Sequence, residues 1–222
     1  FTMPSMVPIP ELPRDNPLLE ERVALGRALF HETRLSRDGS LACTSCHVDT
    51  LAFTDGRRLS TGVRGHAGTR NAMPLINLAW KTQFFWDGRA DSLRAQAVMP
   101  IQDPNEMDET LERVTAKLAE TPHYPAQFAA AFGSPEITGE KIGLALENFL
   151  LTLTAFDAKF DRALAGKATL STEEQKGFEL FMTEYDPRTG QRGADCFHCH
   201  GGPLFSDHQF HNNGLAASPD DP

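Results

Sequence analysis

Residues 43–47 read CTSCH and residues 196–200 read CFHCH, and this repeated frame decides the fold. A CxxC pair alone is compatible with a redox disulfide, half of a zinc site or a covalent haem anchor, and the residue that follows separates them. In both copies it is histidine, His47 and His200. The thiols of Cys43 and Cys46, and those of Cys196 and Cys199, are spaced to form thioethers with haem vinyl groups, while the next residue offers its imidazole to the iron as proximal ligand. All four cysteines are used in this way, so none is left for a disulfide. Zinc is the main competing reading, because two CxxC units and two histidines could assemble four-coordinate sites. The two units lie far apart in the chain, however, and both carry the haem spacing. The expectation is two covalently bound haem c groups.

Working outward, the flanks of the two frames also match. LGRALF (Leu25–Phe30) precedes the first and KGFELF (Lys176–Phe181) the second, while LAFTDG (Leu51–Gly56) and PLFSDH (Pro203–His208) follow them. Two copies of one haem-binding unit explain the match. Between them, apolar residues recur at three- and four-residue spacing over 92–98, 109–120, 124–132, 138–153 and 155–165, which predicts helices. STEE at Ser171–Glu174 is a capping box opening the helix before the second frame. No strand pattern of any length is present. The expected fold class is mainly α, with two cytochrome c-like haem domains related by internal duplication and joined by long loops. The expected organisation is a Pro-rich arm over 1–20, extended along the surface, a first haem domain over 21–137, and a helical link with the second haem domain over 138–222.

Composition narrows the function. With 40% hydrophobic residues the chain can bury a core, and its net charge of −9 excludes the clustered basic surface that nucleic acid requires. The longest apolar stretch, 144–156, is interrupted by Glu147 and Asn148 and is shorter than the roughly 20 residues that span a bilayer. It reads as a core helix. Covalent haem c is attached outside the bacterial cytoplasm, so an exported, periplasmic protein is expected, although no export signal precedes Phe1.

With two CxxCH frames in duplicated contexts, TQFFWDGRADSLRAQAVMPIQDPNEM (Thr82–Met107) between them and FHNNGL (Phe210–Leu215) after the second, the sequence resembles the bacterial di-haem cytochrome c peroxidase and MauG family. The resemblance runs from about Pro17 to Leu215. It implies that the N-terminal haem meets hydrogen peroxide and the C-terminal haem stores or relays an electron. Carried over position by position, it makes Glu106 the distal acid–base group, with Phe85 and Gln96 lining the same pocket and Pro100 nearby. Trp86 becomes the tryptophan that couples the haems electronically, and Asn71 a ligand of one calcium ion. Some members place a haem ligand that reduction releases in the loop holding His66, although the spacing from His66 to Asn71 is shorter than in those members. The implied partners are hydrogen peroxide, a periplasmic cytochrome c or cupredoxin as electron donor, and a second copy of the chain in a homodimer.

The chemistry makes these residue types intelligible. Peroxide must lose a proton from one oxygen and gain one on the other before its O–O bond breaks, and a single carboxyl group of suitable pKa can do both. Each assignment has a structural competitor. Glu106 could favour the start of the next helix by its charge, Trp86 could be a core aromatic like Trp80, Asn71 a turn residue, and His66 a solvated loop histidine. The family carries the sixth ligand of its C-terminal haem, a Met in peroxidases and a Tyr in MauG, in a tail beyond the point matching Pro222. The expectation is therefore a fragment, or a protein completed by a cleaved or separate chain, with a differently ligated second haem as the remaining alternative. Two alternative functions stand beside the peroxidase: a MauG-like oxidase that modifies a partner protein, and a di-haem electron carrier without enzymatic activity.

Overall fold

The computed structural model describes residues 3–212 and residue 214. Asn213 and Leu215, in the FHNNGL stretch, and the end of the second haem domain drawn from the sequence lie outside the described residues. The chain is mainly helical, and its only β pairings among those residues are isolated bridges such as Val48 with Thr54 and Asp186 with Gln191. The described residues form two compact units, one over 10–154 and the other over 3–9 and 155–212.

In the larger unit, α1 (Glu20–Phe30) and α5 (Gly139–Leu151) form the central pair, joined by α2 (Leu93–Gln102), α3 (Leu111–Ala119) and α4 (Tyr124–Phe132). Helix α1 buries Leu25, Gly26, Leu29 and Phe30 along one stripe and begins with Glu20 and Glu21, whose charges suit a helix N-terminus. Gly26 is where the two helices touch, because a Cβ there would run into the Ala145 carbonyl and the Phe149 side chain. Gly143 does the same on the α2 side, where a Cβ would meet the Arg94 carbonyl oxygen at 2.9 Å. Helix α5 is consequently buried almost all round, from Ile142 to Leu151 with little interruption. Side chains of Ser92, Thr110 and Thr138 accept the third amides of α2, α3 and α5, and Gly133 at φ +74° ends α4.

The polar residues that interrupt the apolar run 144–156 are satisfied internally. Glu147, 2% exposed, pairs with Arg94 at 2.9 Å and accepts from Asn16 Nδ2 at 2.7 Å. Arg94 in turn holds Asp15 at 2.6 Å. Such pairing is what makes a buried charge tolerable. It also alters the reading of the N-terminal arm, because Asn16 is 1% exposed and tied to the α5 backbone through the Leu144 carbonyl. The arm is therefore fastened to the core at Asn16, with Leu12 and Leu18 packed against it on either side, and not simply laid along the surface. Likewise, residues 138–154, joined to the second haem half in the sequence reading, fold with the first unit because α5 packs on α1.

The smaller unit contains α6 (Lys159–Leu164) and α7 (Thr172–Phe181). The predicted capping box is present: the Glu174 amide donates to Ser171 Oγ at 3.2 Å, and the Ser171 amide to Glu174 Oε2 at 2.6 Å. Its apolar contacts are aromatic, Phe160 against Phe178 and Phe205 with ring centroids 5.1 and 5.5 Å apart. Neither α6 nor α7 has a fully buried side chain.

Gly26→Ala is expected to destabilise the larger unit by about 1–3 kcal/mol, the usual cost of overpacking, because the obstacle is backbone. Chemical denaturation checks it, and an unchanged midpoint would mean that α1 and α5 can separate without cost.

Candidate active site

Each CxxCH frame folds as a short 3-10 turn, Cys43–Ser45 in the first unit and Cys196–His198 in the second. In both, the histidine amide reaches back to the first cysteine's carbonyl at 2.9 Å, His47 to Cys43 and His200 to Cys196. The side chain of His47 lies with Nδ1 2.7 Å from the Phe53 carbonyl oxygen. A carbonyl only accepts, so Nδ1 carries the proton and Nε2 keeps its lone pair for a metal. His200 makes the same contact with the Phe205 carbonyl at 3.2 Å. Both phenylalanines stand at positive φ, +60° for Phe53 and +52° for Phe205, which turns their carbonyls toward the imidazoles. A phenylalanine from the preceding helix meets each edge-on: Phe30 on Phe53 at 6.4 Å and Phe181 on Phe205 at 5.9 Å. The duplication visible in the sequence is thus repeated as an orienting device.

In the larger unit, Cys43, Cys46 and His47 line a cavity of about 440 Å³ with apolar walls that include Leu75, Leu78, Phe84 and Leu150. Burial pushes the Cys43 thiol up to about 12, with Cys46 raised for the same reason, and pushes His47 below its ordinary value. Loss of water favours the neutral thiol and the neutral imidazole alike. Among the described residues, no group of three or more His, Cys, Asp or Glu comes together to form a metal cluster. A haem fits the same residues: two thiols for thioethers, a neutral imidazole, and an apolar chamber to accept the ring.

The cavity also collects the polar residues singled out in the sequence. Glu106, Gln96, Phe85, Pro100, Trp86 and Asn71 all line it. The Glu106 carboxyl is raised above its ordinary range, first by burial, then by the charge of Asp103, with Arg89 opposing them. It is close enough to Cys43 and Cys46 to act on both thiols electrostatically. Trp86 is 47% exposed at the cavity rim, and its Nε1 donates to the Asn71 carbonyl at 2.9 Å. The Asn71 side-chain NH2 donates to the Arg57 carbonyl, leaving the amide oxygen for another partner. His66 is exposed and is not among the lining residues.

Two participants were not singled out in the sequence. Arg89 lines the cavity with its guanidinium 3.5 Å from the Phe85 ring centroid and is held by Asp87 at 2.9 Å. Asp103 lines it too and carries the charge that raises Glu106. Both belong to the quoted stretch 82–107; Asp103 sits one turn before Glu106, whose amide donates to the Asp103 carbonyl at 3.0 Å, while Arg89 is brought to bear by the folded loops.

A mainly helical chain with two haem-attachment frames and a carboxyl facing one of them defines a di-haem c-type protein. Residues 20–169 match the sequence model of the family described as di-haem cytochrome c peroxidase, and the chain belongs to that family. It is 42% identical over 222 residues to the methylamine utilization protein MauG of Methylorubrum extorquens, covering 99% of this chain and 60% of that one. It is 34% identical to the cytochrome c551 peroxidase of Nitrosomonas europaea, covering 94% of this chain and 60% of that protein. Among solved structures, a MauG-like protein associated with microbial copper homeostasis superposes with a TM-score of 0.82 at 34% identity, covering 96% of this chain and 62% of that one. The chain spans about three fifths of the length of the curated relatives it matches. Two haem c groups go with a di-haem family. Among the described residues, no helix is long and apolar enough to cross a membrane.

The charges around Glu106 give a signed expectation for the haem-loaded protein. Asp103→Asn removes a neighbouring negative charge and should lower the Glu106 pKa, whereas Arg89→Leu removes a positive one and should raise it further. The protonated carboxyl band in difference infrared spectra, followed against pH, reads both shifts. Shifts of the same sign in the two variants would contradict the arrangement.

Proposed function

We propose that this protein reduces hydrogen peroxide to water at the haem held by Cys43, Cys46 and His47, using electrons from a small periplasmic cytochrome c or cupredoxin. The observation that carries the proposal is a half-buried carboxyl, Glu106, lining the same cavity as the proximal histidine and both attachment thiols. Haem iron, when bound there, supplies the coordination position that polarises peroxide and the electrons that reduce it. Glu106 takes the proton from one peroxide oxygen and returns it to the other. Its raised pKa suits both halves of that task, because a carboxylate of ordinary pKa is a weak acceptor and a poor donor near neutral pH. The acceptor form is present above the raised pKa and is lost as pH falls through it. Gln96 and Phe85 bound the space where peroxide sits, and Pro100 shapes the wall beside them.

In this reading the larger unit is the peroxidatic half, and the smaller unit, with Cys196, Cys199 and His200, holds the electron-transfer haem. Trp86, tied at its Nε1 to the Asn71 carbonyl, serves electron passage between the haems. Asn71, with its amide nitrogen committed to Arg57, keeps an oxygen for a calcium ion. His66, exposed outside the cavity lining, is given no step in this reading. A second reading, an oxidase that modifies a partner protein, is favoured by the 42% identity to the MauG relative. The electron-carrier reading leaves the acid–base group in the cavity unused.

Glu106→Gln should lower peroxide-dependent oxidation of a reduced cytochrome c by about 10²–10⁴-fold while both haems stay attached. Retained turnover would remove the carboxyl from the mechanism. Trp86→Ala should slow electron exchange between the haems in stopped-flow reduction, and an unchanged rate would point to another route.

A further inference from the structure

The loop carrying Glu106 is fastened to two other segments, residue by residue. The Val63 amide donates to the Glu106 carbonyl at 2.8 Å, and the Arg37 amide to the Met107 carbonyl at 2.9 Å. The carboxylate of the next residue, Asp108, receives the Arg37 guanidinium at 2.8 Å and that of Arg64 at 2.5 Å. Asp108 stands at φ +50° with its amide on the Asp103 carbonyl at 3.0 Å, so the backbone reverses there and presents the carboxylate to both arginines. Its side chain is 12% exposed, against 54% for Arg37 and 47% for Arg64. Gly62 closes the contact, since any Cβ there would run into the Asn105 carbonyl. Lys117 adds a second tie between the same segments, donating to the Ser36 carbonyl at 2.8 Å while paired with Glu109.

An isolated exposed ion pair contributes little, but a shaded carboxylate shared by two guanidiniums, with backbone bonds on the two preceding residues, fixes a position. We propose that Asp108, bridging Arg37 and Arg64, is a positioning residue that holds the Glu106 carboxyl over the cavity. The clamp works through the backbone: Arg64 draws the 60–68 loop onto Glu106 through Val63, and Arg37 draws its own segment onto Met107. Neither arginine lines the cavity. The inference rests on Glu106 being the acid–base group, because a displacement of about 1 Å matters only to a side chain that must meet a reacting atom.

The test uses the full chain with both haems attached, measuring amide exchange at Val63 and peroxide turnover in parallel. Asp108→Asn keeps the shape and removes the charge. Val63 should exchange about tenfold faster, and kcat should fall about tenfold with little change in KM. Asp108→Glu should restore most of both. Arg64→Ala, which leaves the Arg37 pair in place, should move both readouts the same way by less. In a Glu106→Gln background, Asp108→Asn should cause no further loss of turnover. Unchanged Val63 exchange would overturn the clamp however Glu106 behaves. Faster exchange with unaltered kcat would reduce it to a stabilising contact and overturn the positioning role. Retained turnover in Glu106→Gln alone would instead sink the acid–base reading, with the exchange data still deciding whether the clamp exists.

Discussion

The hydrogen bond from His47 Nδ1 to the Phe53 carbonyl is the constraint on which the rest of the site depends. It sets the tautomer, and therefore which nitrogen faces a metal. Its geometry requires Phe53 at φ +60°, in a loop closed by the Val48 and Thr54 bridge, with Phe30 of α1 packed against the phenyl ring. Displacing any of these turns the carbonyl, and the imidazole loses its orientation. The second frame uses the same solution, with Phe205, Phe181 and His200 in the corresponding places.

One physical cause then accounts for three shifts in the larger unit. A cavity walled by α1, α5 and the loops between them removes water from Cys43, His47 and Glu106, and removal of water penalises whichever form is charged. The thiol rises, the imidazole falls and the carboxyl rises. Each change favours the neutral group. A neutral imidazole can coordinate iron, and a carboxyl of raised pKa accepts and returns a proton more readily than an ordinary one.

Much of this was legible in the residues. The two CxxCH frames, the mainly helical class and the Ser171 capping box rest on local spacing, and local spacing survives folding. Apolar periodicity alone delimits α4 at Tyr124 and Phe132, and it marks the other helices of the central region to within a few residues at their ends. The arm and the division of the chain were read differently, since both depend on partners remote in sequence. Asn16 is buried because Glu147 and Leu144 receive it, and residues 138–154 join the first unit because Gly26 lets α5 approach α1.

The sequence by itself determined the spacing of the thiols and imidazoles offered for haem attachment, and that an amide, an indole and a carboxyl, Asn71, Trp86 and Glu106, follow in that order, because both are properties of position along the chain. Only the tertiary structure decided that Glu106 lines the cavity of the first frame, that Arg89 and Asp103 pull its pKa in opposite directions, and that Arg37, Arg64 and Asp108 meet beside it. Apart from the local pair Asp103 and Glu106, those facts depend on distances between segments remote in sequence. Such distances are set by the packing of the α1, α2 and α5 helices and not by the neighbours of any one residue.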